Sequence, residues 1–196
     1  AATASGLIIV KVIFPILFIL IFYVDKIRNY YDPNYCFFYY FCASMLKLSQ
    51  QLKELINNPK KIVITNHRSP DGDAMGSALA MSHFLAQLGH EVHVITPNDY
   101  AQFLHWMPGN EDVIIYEENQ DLADKITNEA EIIFLMDLNN MDRLSSYKDS
   151  VSSSSAIKVL IDHHQDPDKN IGSFIFSDPE SCSTAQLVYE IIESMG

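Results

Sequence analysis

From residue 45 onward, apolar and polar positions follow two alternating rhythms. In "SMLKLSQQLKELINN" the apolar Leu48, Leu52, Leu55 and Ile56 recur at helical spacing, and Asn58-Pro59 stops the run. "KIVIT" follows as a short buried strand. Asp73 stands where it can cap the next helix, whose apolar stripe is Ala78, Met81, Leu85 and Leu88, with Gly89 ending it. "EVHVIT" is a second strand. "QFLHWMPGN" predicts a short helix and turn, with Trp106 packing beside Pro108, and "DVIIY" is strand-like. "NQDLADKITNEA" is a helical patch that turns Leu122 and Ile126 inward. "EIIFLM" is a strand, "SVSSSS" a flexible polar loop, and "AIKVLI" and "SFIFS" two further strands. "TAQLVYEIIESMG" closes the chain as a helix with Leu187, Val188 and Ile191 on its inner face. Strands that are apolar on both faces, separated by helices, predict an α/β fold: a parallel sheet of about five strands with helices on both faces.

This order gives the polar residues a meaning. "KIVIT" runs into His67, Asp71 and Asp73; "EIIFLM" into Asp137; "AIKVLI" into Asp162, His163 and His164; "SFIFS" into Asp178. In a parallel sheet these strand ends share one edge, the edge where open α/β sheets bind ligands. Five aspartates there would repel one another without cations. Imidazoles mixed with carboxylates suit Mn²⁺, Zn²⁺ or Fe²⁺ better than Ca²⁺. The donors outnumber the needs of one tetrahedral ion and match two metals, about 3.5–4 Å apart, that share a carboxylate. Asp71, Asp73 and Gly76 also imitate the start of an EF-hand loop, but Ser82 stands where that loop needs a glutamate. His83, His90, His93 and His105 are scattered and carry no assignment.

Composition narrows the partners. The formal net charge of the 196-residue chain is −12, which speaks against long duplex DNA on the general surface. A short anionic substrate remains compatible if metal ions supply the positive charge. Cys36, Cys42 and Cys182 are odd in number and unpatterned, which argues for a reducing, cytoplasmic setting over a disulfide scaffold. Residues 1–44 differ from the rest: they hold six of ten tyrosines and six of eleven phenylalanines, and a net charge of +1 against −13 beyond. Leu7–Val24 is an 18-residue apolar run broken by Lys11 and Pro15, at the lower limit for a membrane span. Lys26 and Arg28 after it favour a cytoplasmic side for the rest of the chain. Three readings stay open for this segment: a non-native upstream extension of the reading frame (the first methionine is Met45), an inner-membrane anchor, or a buried helix. The expected division is therefore 1–44 as an N-terminal extension and 45–196 as the catalytic domain. Oligomeric state has no signal in the sequence.

The set "HRSPDGD", "DLNNMDR", "DHH" and "SDPESCSTAQLVYE" resembles the DHH phosphoesterase family over about residues 46–196. The likeness is nearest the bacterial branch of oligoribonucleases that also dephosphorylate 3′-phosphoadenosine 5′-phosphate. RecJ exonucleases, cyclic dinucleotide phosphodiesterases and family II pyrophosphatases lie further off. The resemblance implies two Mn²⁺ ions, with Mg²⁺ or Co²⁺ as substitutes. It implies His67, Asp71 and Asp137 on one ion, and Asp73, Asp137, His163 and Asp178 on the other. It implies His164 as the phosphate contact and proton donor, Asp162 as the residue that orients a neighbouring histidine, and Arg143 as a further phosphate or loop contact. The implied substrate is a short oligonucleotide or nucleotide phosphoester. Members carry a C-terminal domain whose glycine-rich loop grips substrate, and no such segment occurs here, so metal binding with weak or absent turnover is expected. The alternatives are a membrane-anchored cyclic dinucleotide phosphodiesterase, supported only by residues 1–44, and a nucleotide-binding module without catalysis.

Overall fold

A computed structural model describes residues 48–195. The expectations for residues 1–44, with Cys36 and Cys42, lie outside the described residues. Among those described, no helix is long and apolar enough to cross a membrane.

Six parallel strands form one sheet in the order β3-β2-β1-β4-β5-β6: β1 (Lys61–Asn66), β2 (Glu91–Thr96), β3 (Ile114–Ile115), β4 (Ile132–Met136), β5 (Ile157–Asp162) and β6 (Phe174–Ser177). The sixth strand beyond the expected five is two-residue β3, all that "DVIIY" contributes. Pleating divides each apolar run between two cores. Ile62, Ile64, Phe134, Val159 and Ile161 face the layer formed by α1 (residues 48–55), α2 (Gly72–Gln87) and α5 (Thr184–Met195). Val63, Ile133, Leu135 and Leu160 face the layer of α3 (Gln120–Glu129) and α4 (Lys148–Ser153). Burial on both faces is why these strands show no period-two alternation.

Several side chains depart from the expected pattern. Leu88 is half exposed, because the helix is already ending there. Gly89, at φ +89°, and His90 send their amides back to Ala86 and Leu85, which closes a Schellman turn. Leu122 is half exposed, since α3 turns Ala123 and Thr127 to the sheet. Trp106 is not a buried packing residue but stands largely in solvent, while its neighbour Met107 is buried. "SVSSSS" is helical through Ser153, because burying Val151 against the sheet holds α4 in place. Asp73 does not cap α2; Asp71 does, accepting from the amides of Asp73 and Ala74.

The strand order reverses between β1 and β4: β2 and β3 extend one way, β5 and β6 the other. Crossovers leave that point in opposite directions and open a crevice beyond the strand ends.

Candidate metal centre

Register brings the first two ligand candidates together. Asn66, the last residue of β1, pairs with Met136, the last of β4, so His67 and Asp137 leave adjacent strands side by side. Asp137 adopts φ +59°, a left-handed conformation that aspartate tolerates better than most residues. Its amide still donates to the Ile161 carbonyl (3.0 Å), while its carboxylate, 2% exposed, is lifted over the edge of the sheet.

The imidazoles are oriented from behind. His67 Nδ1 lies 2.8 Å from the Arg68 carbonyl, which places its proton there and leaves Nε2 free to face Asp137 Oδ2 at 3.5 Å. His163 Nδ1 likewise faces the Ser181 carbonyl (3.3 Å), and its Nε2 looks toward Asp73 Oδ2 (3.6 Å) and Asp137 Oδ1 (3.7 Å). The donor atoms of His67, Asp71 and Asp137 lie within 4.8 Å of one another. Asp137, His163 and His164 form a second such group, so Asp137 belongs to both. The bonding of His164 sets it apart: Nδ1 donates to Asp162 Oδ1 (2.7 Å) and Nε2 accepts from Arg143 Nη1 (3.0 Å). Both of its nitrogens are thus engaged, while Asp73 Oδ2 faces His163 Nε2. Asp162, which is wholly buried, therefore orients His164.

Asp178 joins neither group. Asp162 pairs with Ser177, so Asp178 leaves β6 next to His163, and β6 lies two strands from β4, which carries Asp137. One of its carboxylate oxygens accepts from the Glu180 amide.

Residue type alone gave no sign of Thr184. It is fully buried at the start of α5, and its hydroxyl donates to Asp137 Oδ1 at 2.8 Å. Its amide and that of Ala185 donate to the two oxygens of Asp73, each at 2.9 Å. The N-terminus of α5 thus sits on the carboxylates of Asp73 and Asp137, where the helix dipole favours negative charge. In the sequence, Thr184 opens the last helix and lies within "SDPESCSTAQLVYE", a motif of the family resemblance, and that motif was its only signal.

The electrostatics fit a site built for cations. Burial, then the charge of Asp137, push the Asp73 carboxyl above its usual range. Burial would push Asp137 up too, but the bonds from His67 and Thr184 outweigh it and hold that carboxyl low. Burial opposes a proton on His67, yet Asp137 and the Arg68 carbonyl hold the imidazole above its ordinary value. The pocket therefore gathers protons that a divalent ion would displace, and its N and O donors suit Mn²⁺.

The chain is similar to several known proteins. Residues 61–196 match the DHH family, N-terminal domain. The chain is 28% identical over 158 residues to the bifunctional oligoribonuclease and PAP phosphatase NrnA of Thermus thermophilus, covering 77% of this chain and 41% of that protein. It is 30% identical over 125 residues to a Lactobacillus delbrueckii protein named "Probable manganese-dependent inorganic pyrophosphatase", covering 61% and 34%. The crystal structure of an exopolyphosphatase-related protein from Bacteroides fragilis superimposes with a TM-score of 0.75 at 39% identity, covering 76% of this chain and 44% of that one. The chain thus spans less than half the length of each of these relatives.

Proposed function

We propose that this chain, which belongs to the DHH family through its N-terminal domain, forms the metal-holding half of a phosphoester hydrolase. The observation that carries this reading is Asp137, whose two carboxylate oxygens face two different sets of donors. His67 Nε2, Asp71 and Asp137 Oδ2 would hold one ion; Asp73, Asp137 Oδ1 and His163 Nε2 would hold the other. Such ions supply positive charge against phosphate and acidify water for in-line attack. The substrate we assign is a short oligonucleotide or 3′-phosphoadenosine 5′-phosphate. The likeness to the Thermus thermophilus protein supports that choice, and the acidic surface disfavours a long duplex.

The protein's own groups then handle orientation and protons. Asp162 fixes His164 with a proton on Nδ1, which leaves Nε2 as the position where a proton can be gained or lost. Arg143 donates to that nitrogen, and its guanidinium offers further donors to a phosphate oxygen. Once a proton at Nε2 has replaced the Arg143 bond, that nitrogen is the group we assign to meet the phosphate and to protonate the leaving oxygen. The free, exposed thiol of Cys182 fits a reducing, cytoplasmic setting.

Calorimetry with Mn²⁺ tests the assignment. Two sites per chain are expected; Asp137→Ala should remove both and Asp71→Ala only one. Hydrolysis of a dinucleotide, 3′-phosphoadenosine 5′-phosphate and a cyclic dinucleotide, measured alongside, should depend on Mn²⁺ and on Asp137. Turnover untouched by a chelator or by Asp137→Ala would refute the proposal.

A further inference from the structure

After β2 the chain makes a short 3₁₀ turn at Gln102–Leu104 on the same sheet edge as the metal carboxylates. Its bonds run from each amide to the carbonyl three residues back: Leu104 to Ala101 (2.9 Å), His105 to Gln102 (3.1 Å) and Met107 to Leu104 (3.2 Å). Three residues per turn eclipse side chains at i and i+3. Leu104 and Met107 are buried, at 3% and 7% exposure, while Phe103 and Trp106 stand at 74% and 59%. Two large aromatic side chains thus stand in solvent on a segment whose own anchors are buried.

The segment is fastened to the metal loop. The Ser69 amide donates to Asn98 Oδ1 at 2.7 Å. A methyl at Gly72, between Asp71 and Asp73, would meet Leu104 Cδ2 at 3.9 Å, so Leu104 lies against that glycine. His83 Nε2 donates to the Pro108 carbonyl (2.9 Å), and the Tyr100 hydroxyl bonds Asn110 (2.6 Å), which ties down the far side. A fixed loop that hides Leu104 and Met107, packs Leu104 against Gly72 of the Asp71–Asp73 turn and leaves Phe103 and Trp106 exposed offers a stacking surface. Flat aromatic faces pair with any base, whereas the phosphate is held elsewhere.

We infer that Phe103 and Trp106 form a platform on which the nucleobase of the substrate stacks while its phosphate lies at the Asp137 cluster. The inference rests on the phosphoesterase reading and extends it, because it requires a base-bearing substrate and places inorganic pyrophosphate and polyphosphate as poor ones.

Trp106 is the sole tryptophan of the chain, so its fluorescence reports on the platform directly. With Mn²⁺ present, adenosine 5′-monophosphate should quench the emission and ribose 5-phosphate should not. Phe103→Ala, at an exposed position that folding does not need, should weaken nucleotide binding about tenfold and leave Mn²⁺ affinity unchanged. Nucleotide binding or hydrolysis that proceeds with a silent Trp106 and an unchanged Phe103→Ala affinity would overturn the platform alone, and would point to a protein partner for these rings. Failure of Mn²⁺ to bind the wild-type cluster would overturn the platform and the phosphoesterase reading together.

Discussion

Replacing Thr184 by valine removes one hydroxyl from a fully buried position and keeps its shape. The lost bond is the 2.8 Å donation to Asp137 Oδ1, on the carboxylate shared by both sets of donors. Hydrogen bonds to charged groups contribute about 1.5–3 kcal/mol, and the uncompensated oxygen cannot turn to water at 2% exposure. With 1.4 kcal/mol per factor of ten, the loss corresponds to a roughly tenfold to hundredfold drop in metal affinity. That matches what the loss of a hydrogen-bonding partner behind a ligand typically costs. The metal-free protein should also melt about 4–8 °C lower for a 2 kcal/mol loss, and saturating Mn²⁺ should raise its melting temperature less than it raises that of wild type, because weaker binding adds less stability. Calorimetry and thermal melts with and without Mn²⁺, on wild type, Thr184→Val and Thr184→Ser, form the assay. Serine keeps the hydroxyl and should recover most of the affinity. Valine binding both ions as tightly as wild type would refute the claim that α5 holds Asp137 in place.

The pH dependence has a definite sign. Without metal, His67 contributes stability that is fully present below about pH 6.5 and is lost as pH rises through its elevated folded value. Asp73, also elevated, loses its contribution in the same direction from about pH 3.8 upward, while Asp137, held low, loses its own only as pH falls through its depressed value. Mn²⁺ replaces the protons, so its increment in melting temperature should grow from about pH 6 to about pH 8; a flat or shrinking increment contradicts the ligand set. Asp178→Ala should leave two Mn²⁺ sites filled, since its carboxylate lies in neither group of donors; a missing site would return Asp178 to the ligands. Gly89→Ala should cost about 1 kcal/mol in a denaturant titration, because φ +89° is strained for alanine although no atom blocks the new methyl. An unchanged midpoint would show that the turn relaxes.

Patterns along the chain determined most of the fold. "KIVIT", "EVHVIT", "EIIFLM" and "AIKVLI" became strands within a residue of the expected bounds, because burial on both faces leaves an unbroken apolar run that only a central parallel strand uses. Those runs also placed His67, Asp137 and His163 at strand ends, and residue chemistry marked them as donors. Periodicity reports how much of an element is buried; it does not report which element lies beside it. The order β3-β2-β1-β4-β5-β6 therefore had to come from long-range packing, and it is what sets His67 next to Asp137 and carries Asp178 two strands away. For the same reason only the tertiary structure showed that Asp73 caps α5 and that Thr184 grips Asp137. Each of those bonds joins residues distant in sequence, and a hydroxyl or an amide leaves no mark on its neighbours until the chain has folded around it.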